Sequence, residues 1–310
     1  MQYNYSLQEI YQVKTSRILI IILLLIGIFI GISFYPKPIQ SEVNVCLHLS
    51  DYDNQTTPFL IDLRVSWVRT DWTTPDESMR NYSQDLQDNN ISLLAIIDHK
   101  TFGYQIPSLV EWNRTITELA TSEDFRSTDA VEIWNEPNSN LSDSSVEPEF
   151  YYEMLKSAYT IIKNYTTIPV VFAGVSPNVS GWKTYLNTVF AYGDTQNYFD
   201  YMGIHLYDDT TTNLEHLQFV KGLTSKPIWL TETGQPSETD GYTEATQAEY
   251  LRSVYSTLEP HVDKIFIYEL RDGTGATHDK ENYFGLLTLE ITKKEAYDTV
   301  WKISRNQEKK

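Results

Sequence analysis

Two glutamates stand directly after short apolar runs, where a β-strand would end. Glu136 lies in the segment VEIWNEPN and Glu232 lies in IWLTETGQ. Pro137, immediately after Glu136, stops a strand because proline has no backbone donor. If both strands end at the same edge of a sheet, one carboxyl can protonate a leaving oxygen while the other attacks or activates water. The pair therefore indicates a site for general acid and nucleophile chemistry.

The elements that must position these glutamates alternate along the chain. Short β-branched runs are followed by longer amphipathic segments, which predicts a parallel sheet. Eight strands without a Gly-rich phosphate loop favour a closed (β/α)8 TIM barrel over an open doubly wound sheet. The predicted strands begin at Val43, Val65, Leu93, Ala130, Pro169, Tyr201, Pro227 and Lys264. The predicted helices span 76–89, 108–122, 147–164, 181–191, 213–223, 246–258 and 292–304, after a short crossover at 57–63.

The motifs WNEPN and WLTETG resemble the signatures of the large TIM-barrel clan of glycoside hydrolases with glutamates on strands four and seven, nearest to its family 39 and family 5 members. The resemblance spans the whole barrel. It implies a retaining glycosidase that forms a covalent glycosyl-enzyme intermediate, with Glu136 as acid/base and Glu232 as nucleophile. Retention predicts that the two carboxyls lie about 5 to 5.5 Å apart.

The same resemblance implies roles for four more residues. Asn135, before the acid/base, is expected to bind the sugar 2-hydroxyl. Arg69, in WVRTDW, is expected to hold the nucleophile as an anion. His205 and Tyr207, in GIHLYDD, are expected to flank the nucleophile, with the Tyr hydroxyl donating to Glu232.

Further candidates for the cleft stand at other strand ends. His99, after strand three, is expected either to contact sugar hydroxyls or to be a solvated loop residue. Asp71 and Trp72 are expected to shape the wall, and Tyr268 and Glu269 to form the floor where many clan members carry a Trp. Trp134, Trp182 and Trp229 are possible stacking platforms, although strand alternation predicts that Trp229 packs under a helix.

Three other functions fit parts of the sequence. A metal-dependent hydrolase would use His48, His99 and His205, but the sequence has no HxH pair or three-ligand spacing. A non-catalytic carbohydrate-binding or adhesion protein would not need both glutamates. Transglycosylation would use the same residues with a sugar acceptor. We therefore expect an oligosaccharide, polysaccharide or glycoconjugate substrate, and no metal or organic cofactor.

The composition excludes some partners. The net charge of −18 repels nucleic-acid phosphates, so no nucleic-acid partner is expected. Cys46 is the only cysteine, so the chain can form no intrachain disulfide and no thiolate zinc site.

The amino-terminal sequence predicts a membrane anchor rather than the alternative, a cleaved secretory signal, because YPKPIQSE after the apolar run offers no small-x-small cleavage site. Residues 18–34 carry no charge, and Lys14 and Arg17 precede them, which places a short tail in the cytoplasm and exports the rest. The expected parts are a tail at 1–17, a transmembrane helix at 18–35, a stalk at 36–42, the barrel at 43–304 and a polar tail at 305–310. Glycosylation of the exported part is expected at some of the sequons. These begin at Asn54, Asn81, Asn90, Asn113, Asn140, Asn164 and Asn178.

Overall fold

The eight predicted strands form a closed barrel. The computed structural model describes residues 41–48, 52–53, 55–73, 77–139, 144–239, 241–274 and 279–306. Within these ranges each strand pairs in parallel with the next, and the eighth pairs with the first. The prediction of a (β/α)8 TIM barrel is therefore confirmed.

Strands and helices alternate along the described chain as predicted. The strands are β1 (Val43–Cys46), β2 (Val65–Asp71), β3 (Ser92–Ile97), β4 (Ala130–Asn135), β5 (Val170–Val175), β6 (Tyr201–His205), β7 (Ile228–Thr233) and β8 (Lys264–Ile267). The helices are α1 (Thr57–Asp62), α2 (Glu77–Asp88), α3 (Leu109–Thr121), α4 (Pro148–Tyr165), α5 (Trp182–Phe190), α6 (Thr210–Leu223), α7 (Glu244–Leu258) and α8 (Glu295–Ile303).

Local signals in the sequence explain where these elements begin. All six residues of β5, VVFAGV, are buried, as expected for a parallel strand that is covered on both faces. At the start of α3 the side chain of Ser108 accepts a hydrogen bond from the backbone N–H of Glu111. Pro148 occupies the first turn of α4, where a missing N–H costs no helical hydrogen bond.

Apolar side chains from six strands fill the barrel interior, and Trp229 is one of them. The set is Cys46, Leu94, Ala130, Val171, Trp229 and Phe266. The ring of Trp229 lies 5.4 Å from that of Trp67 on β2, on the far side of the barrel. The expectation that Trp229 packs under a helix is therefore wrong. The β7–β8 ladder shifts register between Leu230 and Thr233, which breaks the simple alternation, so Trp229 and Glu232 both point inward.

A buried ion pair joins the segments that follow β7 and β8. Nζ of Lys294 donates to Oδ1 of Asp272 at 2.6 Å and to Oγ of Ser237 at 2.9 Å. Both Lys294 and Asp272 are buried. Because Ser237 follows β7 and Asp272 follows β8, this lysine fixes the two segments that border the mouth of the barrel.

We expect Lys294→Met to lower the free energy of unfolding by about 3 kcal/mol, because Asp272 would stay buried without its cation. Urea unfolding followed by intrinsic fluorescence measures the change. Lys221→Met, on the exposed side of α6, is the matched control and should change the stability by less than about 0.5 kcal/mol. Equal effects from both variants would contradict a structural role for the buried lysine.

The folded unit extends slightly beyond the expected domain limits. The backbone N–H of Ser41 donates to Oδ1 of Asn306 at 3.3 Å, and Oε2 of Glu42 accepts from a β8 lysine at 2.8 Å. Arg305 donates to the last backbone oxygen of α1 at 2.8 Å. Ser41 and Glu42, expected in the stalk, and Arg305 and Asn306, expected in the tail, therefore pack on the barrel.

The predicted membrane anchor is not part of the described structure. Residues 1–40, which include the tail at 1–17 and the transmembrane candidate at 18–35, lie outside the described ranges. Among the helices that are described, none combines the length and the apolar composition needed to cross a bilayer. The anchor stays a prediction from the sequence.

Candidate active site

The carboxylate of Glu232, at the end of β7, is held by three neighbours. Nη1 of Arg69 donates to its Oε1 at 2.6 Å, and the hydroxyl of Tyr207 donates to its Oε2 at 2.6 Å. Nδ1 of His205 lies 3.3 Å from the same Oε2. The structure thus brings together Arg69, His205, Tyr207 and Glu232, which the sequence motifs placed at three different strand ends.

These contacts keep Glu232 ionised. Burial raises the pKa of Glu232, but the electrostatic interactions with His205 and Arg69, together with the Tyr207 hydroxyl, lower it more strongly. The net pKa lies below the usual value for glutamate. An ionised carboxylate at neutral pH is the form that a nucleophile requires.

Glu132, in the middle of β4, is a site residue that the motifs did not indicate. Nε of Arg69 donates to Oε2 of Glu132 at 2.6 Å, and the backbone N–H of Gly174 donates to Oε1 at 2.8 Å. Nη2 of Arg69 donates to Oδ1 of Asn135 at 2.8 Å. Glu132 therefore fixes the plane of the guanidinium that faces Glu232. The signal in the sequence was a charged residue within the apolar run AVEIW.

Glu136 leaves β4 through an unusual backbone. Trp134 has φ +75° and Glu136 has φ +43°, both in the left-handed region that non-glycine residues rarely adopt. The turn at Trp134 directs its indole away from the site, where Nε1 donates to the backbone oxygen of Ser144 at 2.8 Å. The side chain of Asn135, by contrast, points into the site, where its Oδ1 accepts a hydrogen bond from Arg69. Backbone strain of this kind concentrates at functional sites, where the surrounding packing maintains it.

His205 on β6 links Glu136 to Glu232. Its Nδ1 lies 2.9 Å from Oε1 of Glu136, and its side chain is fully buried. The ring fits only because residue 174 on β5 is glycine. A Cβ atom at Gly174 would lie 2.0 Å from Nε2 of His205. The close approach of β5 therefore sets where the imidazole bridges the two glutamates.

The two glutamates are neighbours in space. One oxygen of Glu136, one oxygen of Glu232 and one ring nitrogen of His205 all lie within 4.8 Å of one another. The side chain of Glu136 is 24% exposed and that of Glu232 is 10% exposed, so Glu136 is more open to an incoming group. Among the described residues, these three atoms are also the set that could hold a metal ion.

The three histidines of the alternative metal site are not brought together. His48 lies between Asp71 and Glu269, with ring nitrogens 3.5 Å and 3.3 Å from their carboxylates. His99 packs against the rings of Tyr104 and Trp134, with centroid distances of 5.6 Å and 6.2 Å. No described hydrogen bond joins His99 to either catalytic candidate.

Tyr268 and Trp72 are the two aromatic candidates for the cleft. The structure places Tyr268 beside Glu232 and Trp72 in the core. The ring of Tyr268 lies 6.5 Å from that of Tyr207 and 5.6 Å from that of Phe284, so these three rings line the site beside Glu232. Trp72 is fully buried and packs against Phe125 at 5.6 Å. The expectation that Trp72 shapes the wall of the cleft is therefore wrong, because its side chain is buried against Phe125 and does not reach the barrel mouth.

The tryptophans supply no open stacking platform. All seven lie within the described ranges, and none has an exposed side chain. Trp134, Trp182 and Trp229, the candidates for stacking, are all buried. The aromatic rings next to the catalytic candidates are those of Tyr207, Tyr268 and Phe284, of which Phe284 was not predicted.

We expect Tyr207→Phe to lower kcat/KM by about 10- to 100-fold, because the variant loses a hydrogen bond to a charged carboxylate. Since the hydroxyl lowers the pKa of Glu232, its removal raises that pKa, and the acid limb of the pH–rate profile should move to higher pH. Tyr192→Phe, at an exposed position on the outside of the barrel, is the control. An unchanged acid limb in Tyr207→Phe would contradict this assignment.

Comparison with solved structures supports the fold. The chain is similar to a family 39 glycoside hydrolase from the gut symbiont Bacteroides cellulosilyticus WH2, with 18% identity, a TM-score of 0.64, and coverage of 85% of this chain and 63% of that chain. It is also similar to a glucosidase from Croceicoccus marinus, with 13% identity, a TM-score of 0.69, and coverage of 87% and 69%. An exo-β-1,4-mannosidase from Opitutaceae bacterium strain TAV5 has 13% identity, a TM-score of 0.65, and coverage of 86% and 59%. The chain spans less than two thirds of the first and the third of these structures.

The sequence itself matches a known family. No curated protein matches this chain. The family model described as the glycosyl hydrolase catalytic core matches residues 64–284, a range that includes Arg69, Glu136 and Glu232. Because this match covers more than half of the chain, the chain belongs to the glycosyl hydrolase catalytic core family.

Proposed function

We propose that this chain is a retaining glycosidase that hydrolyses O-glycosidic bonds through a covalent intermediate on Glu232. The observation that carries the proposal is the spacing of the two carboxyls, whose nearest described oxygens lie within 4.8 Å. An inverting enzyme needs about 6.5 to 9.5 Å between its carboxyls to admit a water molecule. The shorter spacing favours direct attack by one carboxylate.

The contacts of the two glutamates assign their roles in this mechanism. Glu232, held as an anion by Arg69 and Tyr207, attacks the anomeric carbon while Glu136 donates its proton to the departing glycosidic oxygen. Glu136 then removes a proton from water, which displaces Glu232 and restores both carboxyls to their starting forms. In the proposed mechanism Asn135 binds the sugar 2-hydroxyl, and its hydrogen bond from Arg69 supports this role.

Two measurements on the purified full chain test the proposal. Proton NMR of the first product formed from an aryl glycoside should show the anomeric configuration of the substrate. A 2-deoxy-2-fluoro glycoside should add one sugar to the peptide that contains Glu232, and mass spectrometry detects this addition. Glu232→Ala should not be labelled. A product of inverted configuration, or a label on another carboxyl, would contradict the proposal.

The structural neighbours do not choose the sugar. One is a glucosidase and another is a mannosidase. We therefore propose a carbohydrate substrate, as an oligosaccharide, a polysaccharide or a glycoconjugate. Product analysis with added acceptor sugars separates hydrolysis from transglycosylation. A binding or adhesion protein on the same barrel would leave every glycoside intact, whereas the Glu136 and Glu232 pair that His205 bridges supports turnover.

We further propose that residues 18–35 anchor the chain in a membrane, with the barrel exported. The uncharged run and the preceding Lys14 and Arg17 support this orientation. The sequon asparagines Asn81, Asn90, Asn164 and Asn178 have exposed side chains, which suits glycosylation. Protease added to intact cells should digest the barrel, and an endoglycosidase should increase its gel mobility. Protection of the barrel from protease would contradict the proposed orientation.

A further inference from the structure

A second polar cluster lies at the barrel mouth, beside the catalytic pair. It consists of His48 after β1, Asp71 at the end of β2, Lys100 after β3 and Glu269 after β8, and we call these four residues the distal cluster. Nζ of Lys100 donates to Oδ2 of Asp71 at 2.7 Å. The two ring nitrogens of His48 lie 3.5 Å from Asp71 and 3.3 Å from Glu269. Four consecutive positions around the barrel thus contribute to one network.

This network is continuous with the nucleophile. The ring of His48 lies 6.2 Å from that of Tyr268, which lies 6.5 Å from that of Tyr207, the residue that donates to Glu232. Because the strands close in chain order, the ends of β8, β1, β2 and β3 occupy one side of the mouth between β7 and β4. A sugar whose anomeric carbon rests against Glu232 can therefore direct its other hydroxyls toward the distal cluster.

The donors of the distal cluster are the groups that a ligand reaches. The side chain of His48 is 39% exposed and that of Lys100 is 26% exposed, whereas the carboxylates of Asp71 and Glu269 lie behind them. Asp71 can accept hydrogen bonds besides those from Lys100 and His48, since a carboxylate has about four lone-pair directions. Hydroxyl groups, which both donate and accept, are suited to such a surface.

The cationic groups of the distal cluster already face carboxyl groups of the same cluster. The cation of Lys100 and the imidazole of His48 face two acids, Asp71 and Glu269. Burial raises the pKa of Asp71, but Lys100 and His48 lower it more strongly, so Asp71 is an anion. The hydrogen bond with Asp71 raises the pKa of His48, which favours the charged imidazole despite its burial. An anionic sugar would therefore have to compete with Asp71 for Lys100 and for His48.

We propose that the distal cluster binds the hydroxyls of the sugar that is transferred to Glu232, and that it restricts the enzyme to uncharged sugars by disfavouring uronates. A uronate carboxylate would have to displace Asp71 from Lys100 or lie against Asp71 and Glu269 without a cation. The net charge of −18 on the whole chain adds to this repulsion. The inference rests on the proposed function, because it assigns the sugar class of the same site.

Matched pairs of aryl glycosides test the selectivity on the full chain. A β-glucoside and a β-glucuronide differ in charge at C6, as do a β-galactoside and a β-galacturonide. We expect kcat/KM for the uronides to be at least about 100-fold lower, because an unpaired anion faces two fixed carboxylates at short range. Cleavage of a uronide as fast as its neutral partner would overturn the proposal.

Two variants separate charge selection from general disruption. Asp71→Asn frees Lys100, and Glu269→Gln removes the other acid, so each should raise the uronide-to-neutral ratio of kcat/KM by about tenfold. The neutral substrate should lose affinity, seen as a higher KM, while the anomeric configuration of the product stays the same. Glu118→Gln, on the exposed face of α3, is the control. It should leave the uronide-to-neutral ratio of kcat/KM unchanged for the gluco pair and for the galacto pair. Variants of the distal cluster with an unchanged ratio would overturn the proposal.

A binding measurement distinguishes failure of this inference from failure of the proposed function. Saturation-transfer NMR on the full chain compares methyl β-glucoside and methyl β-galactoside with their uronates. Binding of the neutral sugars alone supports the inference, even if no glycoside is cleaved and the proposed hydrolysis fails. Equal or better binding of the uronates, or no binding of any neutral sugar, overturns the inference, even if Glu232-dependent cleavage is established.

Discussion

Glu232→Ala should abolish hydrolysis, lowering kcat by about 10⁵-fold on every cleaved substrate, because no covalent intermediate can form. The alanine also leaves a small space beside Arg69 and Tyr207, the two donors that held the carboxylate. Azide fits such a space and is attracted by the guanidinium. We therefore expect added azide to restore part of the activity and to form a glycosyl azide whose anomeric configuration is inverted.

Kinetics with an activated aryl glycoside, together with NMR of the azide product, measure both effects. Glu118→Gln is again the control for a lost carboxylate on the outside of the barrel. Thermal unfolding checks that the variant is folded. We expect it to be folded, because Arg69 keeps its contact with Glu132. Residual activity near that of the wild type in correctly folded Glu232→Ala would remove Glu232 from the mechanism.

Glu136→Ala should show an effect that depends on the leaving group. A substrate with a poor leaving group needs a proton from Glu136, so its kcat/KM should fall by about 10³- to 10⁴-fold. The dinitrophenolate of a dinitrophenyl glycoside leaves without protonation, so the rate of glycosyl transfer to Glu232 should be nearly normal. The intermediate on Glu232 then accumulates, because no base activates water, and a burst of released phenol should be followed by slow turnover.

Stopped-flow measurement of phenol release, compared across aryl leaving groups of different acidity, tests this prediction. Azide should again accelerate turnover, and here the glycosyl azide should retain the anomeric configuration, since attack follows formation of the intermediate. The opposite azide stereochemistries in the two variants distinguish the nucleophile from the acid/base. An equal loss of activity for all leaving groups would contradict the role of Glu136 as a proton donor.

The sequence alone predicted the barrel architecture and the class of glycoside hydrolase. The alternation of β-branched runs with amphipathic segments predicted the eight strands of the barrel, because a parallel strand covered on both faces must be apolar. The position of a residue directly after such a run places it at the mouth of the barrel. The family resemblance named Arg69, Asn135, Glu136, His205 and Glu232, and these residues lie together because parallel strands bring their carboxyl ends to one edge.

The tertiary structure decided which side chains within those segments face the site. Glu132 supports Arg69, although its position inside β4 resembles that of a core residue. Trp72 faces the helices and Trp229 the interior, and neither could be assigned by counting alternate residues. The left-handed backbone at Trp134 and the shifted register of β7 change that alternation locally. Such irregularities arise from packing between strands that are distant in sequence, so a local pattern does not contain them.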